Sequence, residues 1–171
     1  MPVIRVRCNH QTRYDGFVNA SKDPTELVIE FLNTLDVEAG TDELASAAAF
    51  SSWAGRSQSA LELRKARGLR EHLRALASGD APVGELRVPV EVALGGGAAS
   101  LGARTLVGEV AAAVVTVALE GRLERIKICP ADDCRWAFYD RSKNQSRSWC
   151  SMKVCGNRAK ARSHRERAEA G

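Results

Sequence analysis

Apolar and polar positions alternate with two different periods along this chain, and the switches between them outline its elements. Val3 to Cys8 (VIRVRC) alternates and predicts a short strand. Asp15-Gly16 is a turn signal. From Asp23 the period becomes helical. Asp23 can cap a helix, Pro24 suits its first position, and Glu26 completes a capping box. Leu27, Val28, Phe31, Leu32 and Leu35 form the apolar stripe, and Gly40 ends the segment. Thr41 predicts the cap of a second helix, with Asp42 and Glu43 in its first turn and Leu44, Ala48 and Trp53 along it. A third helix is expected over 58–78, with Leu61, Ala66, Leu69, Leu73 and Leu76 on one face and Gly79 as its stop.

At Leu86 the period returns to two. Leu86, Val88, Val90, Val92 and Leu94 alternate with Arg87, Pro89, Glu91 and Ala93, which predicts a half-buried strand with Pro89 at an edge. Gly95-Gly96-Gly97 is a turn, and 98–104 is a candidate return strand. No Gly-Lys-Ser/Thr follows the glycines, so they do not read as a phosphate loop. An Ala/Val-rich helix is expected over 106–120, closed by Gly121. The fold class is therefore α+β. A mainly helical unit with a small antiparallel sheet spans 1–121, and a small module spans 122–171.

Composition supports an ordinary globular chain, with 44% apolar and 27% charged residues. The longest apolar run, Val110 to Leu119, is too short to cross a bilayer. The opening MPVIRVR puts arginines where a signal peptide needs apolar residues, so the expected location is cytoplasmic, away from membranes. The net charge is only +4, but it is unevenly placed. Residues 135–171 hold ten basic against three acidic side chains, while the rest is slightly acidic. A basic end on an acidic body points to a polyanionic partner.

Four of the five cysteines fall in two pairs, Cys129-PADD-Cys134 and Cys150-SMKV-Cys155, with fifteen residues between the pairs. Two short pairs at that separation are the pattern of a structural zinc (Zn2+) site. Each pair closes a turn that aims two sulfurs at one point, and four thiolates leave no open position for water. Without metal, a module of this size should be largely unfolded, because binding contributes on the order of 10 kcal/mol of folding energy. Cys8 reads as a small buried side chain, and His10 beside it makes too few ligands for a second site.

Within the module, LERIKI at 123–128 and Trp136 to Tyr139 read as strands, Asp140 to Ser148 as a basic loop, and Arg158 to Ala168 as a last helix. Five residues from Cys150 to Cys155 do not fit one helix face, so at least one cysteine should lie outside regular helix. Gly156 is expected to relieve strain after that turn, and Asn157 to cap the helix. Asp140 is placed to pair with a nearby arginine, and Trp149 to join the small core.

The stretch ICPADDCRWAFYDRSKNQSRSWCSMKVCGNRAKARSHRER closely resembles the CGNR zinc finger, named for the tetrapeptide that here is Cys155-Gly156-Asn157-Arg158. LVIEFLNTLD at 27–36 is similar to the ABATE domain that accompanies this finger. The resemblance implies a treble-clef-like or zinc-ribbon-like module and a bacterial, stress-induced transcription regulator that binds DNA. The 1–22 segment is longer than that family leads one to expect, and its role stays open.

Candidate DNA contacts are Arg141, Lys143, Asn144 and Arg147 on the loop, with Asn157, Arg158, Lys160, Arg162 and Arg165 at the last helix. Such side chains neutralise phosphates, and Arg and Asn also read base edges. Arg158, Arg162 and Arg165 should share a face. Asn33 and Thr34 interrupt an apolar stripe, which marks either a ligand pocket or bonds to backbone. The first unit is thus expected to sense a small-molecule effector or to mediate assembly, with a homodimer as the candidate state. The other reading is a zinc-stapled module for protein interaction or RNA. No pair of carboxylates, nucleophile–histidine arrangement or open metal motif suggests an enzyme.

Overall fold

The computed structural model describes residues 23–96 and 98–169. The expected strand at 3–8, the Asp15-Gly16 turn, Cys8 and His10 lie outside the described residues. The architecture is α+β, and the described residues form five helices and three two-stranded antiparallel sheets.

Helix α1 (Pro24–Leu32) starts as its sequence dictates, with Asp23 accepting the Thr25 N–H at 2.7 Å and Pro24 in the first turn. It buries Leu27, Val28, Phe31 and Leu32. The chain then forms a two-residue ladder, β1 (Leu35–Asp36) against β2 (Thr41–Asp42), where a helix start was expected at Thr41. The physical reason is Asp42. Its carboxylate accepts from the Leu44 N–H and from Arg70, at 2.5 and 3.0 Å, and so fixes a turn. Helix α2 (Ala47–Ala54) begins five residues later, capped by Ser46.

Helix α3 (Ala60–Ser78) is capped by Ser59 and closed by Gly79 at φ 82°, a left-handed conformation suited to glycine. Its buried face differs from the expected stripe. Leu63, Ala66, Leu69 and Leu73 are inside, but so are Arg70 and Arg74, while Leu61 and Leu76 are about half exposed. Both arginines are accommodated because each finds polar groups. Arg70 pairs with Asp42 and donates to the Thr34 hydroxyl at 3.1 Å. Arg74 donates to the carbonyl of Leu32 at 2.9 Å. That carbonyl ends α1, where helical backbone is electronegative.

Strands β3 (Glu91–Gly95) and β4 (Ala98–Gly102) form a hairpin. The expectation of a half-buried strand holds only for its approach. Leu86 and Val88 pack on the core, but Val92 and Leu94 are 64% and 79% exposed. Helix α4 (Leu106–Leu119), capped by Thr105, lies along α1 and buries Leu106, Val107, Val110, Ala113 and Val117.

A 3-10 turn (Leu123–Arg125) then leads into β5 (Ile126–Ile128), which pairs with β6 (Ala137–Tyr139). Ile126, Ile128 and Ala137 join the same core as α1, α3 and α4. A second, smaller cluster contains Cys129, Cys134, Phe138, Cys150 and Cys155, with Trp136, Trp149 and Val154 against it. The chain ends in a π-helical turn (Met152–Gly156) that runs directly into α5 (Asn157–Glu169). Asn157 is therefore inside the helix, and Ser151 supplies the cap by accepting the Val154 N–H.

Candidate metal centre and basic surface

The β5–β6 connection holds the first cysteine pair. The Cys129 N–H donates to the Trp136 carbonyl, and the Cys134 and Arg135 N–H groups both donate to Ala131, which curls the chain into a tight knuckle. Cys150 precedes the π-helical turn, and Cys155 lies within it. The spacing argument is satisfied: one of the two is outside helix and the other is in an irregular turn. All four sulfurs are buried and lie within 4.8 Å of one another. Cys134 and Cys150 are 3.5 Å apart, and Cys150 and Cys155 are 3.6 Å apart. Four thiolates bound tetrahedrally at about 2.3 Å would be about 3.8 Å apart. Disulfide bonds are absent among these four. The donor set therefore fits a metal ion.

The crowded sulfurs also affect one another's protonation. Hydrogen bonds from Cys134 and Cys150 hold the Cys129 thiol down to about 2. Bonding to Cys129 pushes the Cys134 thiol up against an opposing pull from Cys150, and bonding to Cys129 and Cys134 pushes the Cys150 thiol up. A bound cation would be needed for all four to become thiolates at this separation.

Charged side chains brace the centre. Burial alone would raise the Asp140 carboxyl, yet the Lys127 ammonium and the Ser142 and Arg147 N–H groups hold it below the usual carboxylate range. The partner is a lysine where an arginine was expected. Lys127 also donates to the Gln145 and Arg147 carbonyls, and Arg125 donates to those of Asp140 and Ser142. Strand alternation explains this, since Ile126 and Ile128 face the core and send Lys127 to the loop.

The candidate basic residues separate into two groups. Arg147 donates to the Trp149 and Cys150 carbonyls and lies 5.0 Å above the Phe138 ring. Arg158 meets Asp133 at 2.9 Å, Glu38 at 3.4 Å and the Cys155 sulfur at 3.7 Å. Both are occupied in holding the knuckle. Asn157 donates to the Lys153 carbonyl one turn back. By contrast, Arg141, Lys143 and Asn144 on the loop, and Lys160, Arg162 and Arg165 on α5, are exposed. No hydrogen bond or ion pair engages their side chains among the described residues. From Lys160 to Ala168 every residue of α5 is exposed.

Asn33 and Thr34 both bond to backbone. The Asn33 amide accepts the Ala137 N–H at 2.7 Å and donates to the Ala137 carbonyl at 3.0 Å. It thereby pairs with β6 as a neighbouring strand would. Thr34 is buried, donates to the Phe31 carbonyl and accepts from Arg70. The sequence gives no sign of Arg74, which joins the helical body to the metal knuckle. It donates to the Arg135 carbonyl at 2.8 Å, and Arg135, at φ 53°, reaches the Ser78 hydroxyl in return. An apolar groove of about 530 Å³ runs along this same seam, walled by Val28, Leu32, Leu73, Leu76, Ile126 and Ile128.

The metal-knuckle geometry and the helical body agree with two family models. The CGNR zinc finger matches residues 125–168. The ABATE family, described as "putative stress-induced transcription regulator", matches residues 25–137, about two thirds of the chain. The chain belongs to the ABATE family and carries a CGNR zinc finger. The two matches overlap on the β5–β6 hairpin, the one segment that packs in the main core and also carries Cys129 and Cys134. No curated protein matches the chain. No helix among the described residues is long and apolar enough to cross a membrane.

Proposed function

We propose that the chain is a DNA-binding transcription regulator whose basic C-terminal module is held in shape by one zinc ion. The reading rests on one observation above all. A helix with exposed Lys160, Arg162 and Arg165 projects from a knuckle that Arg147 and Arg158 brace. Exposed cations without protein partners are available to phosphates, and their binding releases counterions. A helix of this width fits the major groove. Zinc, when bound by Cys129, Cys134, Cys150 and Cys155, supplies folding energy and a fixed geometry. With four sulfur ligands no position is left for water, so the module's role is structural and non-catalytic. The helical body is the unit that receives a signal, and the seam groove is the candidate place for a small apolar effector.

Selection of bound duplexes from a random library with the metal-loaded chain tests this reading. An enriched site is expected. Arg162→Ala with Arg165→Ala should weaken binding and flatten its salt dependence, by about 0.9 in log–log slope for each phosphate that is no longer neutralised. Unchanged affinity over a salt series removes the helix from the interface. A library that returns no enriched site, from protein with its metal bound, favours RNA or protein as the partner.

A further inference from the structure

Helix α5 carries its cations on two opposite sides. At about 100° of turn per residue, Arg158, Arg162 and Arg165 fall within about 60° of one another. Lys160 and Arg167 fall within about 20° of each other and about 180° from that first row. Arg158 is engaged by Asp133 and Glu38, so Arg162 and Arg165 are the exposed members of the first row. Lys160 and Arg167 are exposed as well. The Arg167 Nε donates to the Ser163 carbonyl one turn back, which holds that arm along the helix. Two gaps separate the rows. One contains Ala159, Ser163 and Glu166, and the half-buried Ala159 shows that this side turns towards the protein. The other contains Ala161, His164 and Ala168, all exposed.

We propose that α5 lies in the major groove of a B-form DNA duplex with one basic row on each wall. Arg162 and Arg165 then neutralise phosphates of one strand, and Lys160 and Arg167 those of the other. The proposal rests on the DNA reading above and narrows it to one form of nucleic acid. The opposed rows select that form. A single strand, or a flat anionic surface, offers phosphates to one side of a helix and would leave the other row in water. A duplex groove offers them on both sides. A helix with its side chains is about 10–12 Å across, and the B-DNA major groove is about 12 Å wide. The major groove of an RNA duplex is too deep and narrow for side chains to read. The gap with Ala161 and Ala168 enters the groove, because short side chains let the backbone approach the base edges. Glu166, in the other gap, stays clear of the phosphates, which would repel it.

Anisotropy titrations of the metal-loaded full chain over a salt series test this grip. The probes are a short mixed-sequence DNA duplex, one of its strands alone, and the RNA duplex of the same sequence. The DNA duplex should bind about tenfold or more tighter than the other two. Lys160→Ala with Arg167→Ala should lower the duplex salt slope by about 1.8, as much as Arg162→Ala with Arg165→Ala does, and all four changes by about twice that. Alanine favours helix, so helical circular dichroism and metal content should hold in every variant. A slope that the Lys160–Arg167 pair does not move, with tight duplex binding, overturns the two-sided grip and leaves the DNA reading standing. Equal affinity for the single strand or the RNA duplex overturns the grip too. Binding to none of the three probes removes both.

Discussion

The helical body and the metal module use opposite means to hold their shape. The body is sealed mainly by helical side chains, with Phe31, Phe50 and Val110 completely buried alongside Leu44 from the turn before α2. Phe31 and Phe50 both pack near Trp53, with ring centroids 6.1 and 6.2 Å away. The module's cluster is small, and most of its fully buried members are the metal-binding cysteines. Around them the fastening is ionic: Lys127 with Asp140, and Arg158 with Asp133 and Glu38. A body of this size can close a core from apolar residues alone, whereas some forty residues cannot. The module is therefore expected to need an ion, where the body closes mainly on apolar side chains.

Removing the metal is the strongest way to break that contrast. Chelation, or Cys129→Ser, should unfold the knuckle and α5, because the binding energy removed is on the order of 10 kcal/mol. The body should keep its helices, since none of α1 to α4 takes a residue from the second cluster. Amide hydrogen exchange checks this directly. Protection is expected to fall after Cys129 and to persist in α1, α3 and α4. Equal loss in both regions would mean that the two are one cooperative unit.

Next in size is the seam. Asn33→Ala leaves the N–H and carbonyl of Ala137 without partners at a half-buried site. The expected cost is about 1–3 kcal/mol, read from chemical denaturation. The loss should be accompanied by weaker metal retention, because β6 follows directly from the knuckle that carries Cys129 and Cys134. A stability loss with unchanged metal affinity would show that the body does not support the metal centre.

Residues whose role is set locally were legible in the sequence, and those whose role is set by a distant partner were not. Asp23-Pro24 announces α1, and the paired cysteines announce their site, because capping and ligand spacing involve neighbours along the chain. Thr41 and Ser46 are both good caps. Only Arg70, far along the chain, decides that Asp42 makes a turn and that the helix waits for Ser46. Arg70 and Arg74 look like solvated residues on the polar side of α3, and only carbonyls and carboxylates from other elements explain their burial. The same holds at the candidate site. Charge identifies a basic end, but it does not separate Arg147 and Arg158, which brace the knuckle, from Arg162 and Arg165, which face solvent. Period-two alternation identified β3 and could not tell that the body stops short of Val92 and Leu94.

Two glycines, one in each region, give a comparable effect and a smaller one. A Cβ on Gly108, at the start of α4, would stand 2.5 Å from the Ala103 Cβ and 3.0 Å from the Pro89 carbonyl oxygen. The carbonyl is backbone, and Ala103 is a short side chain that cannot swing aside. Relief therefore requires the approach to the hairpin to move, and Gly108→Ala should cost about 1–3 kcal/mol. A Cβ on Gly156 would meet the Met152 sulfur at 2.4 Å, which looks as severe. Met152, however, is about half exposed and flexible, so its thioether can turn out to solvent. Gly156 has no positive φ to lose either, so the strain expected at this position is a matter of space alone. Gly156→Ala should then cost less than about 1 kcal/mol, and adding Met152→Ala should recover most of that. Thermal denaturation of the metal-loaded variants orders the two. A larger loss at Gly156 than at Gly108 would mean that the metal turn is packed as tightly as the body, which would remove the contrast between the regions.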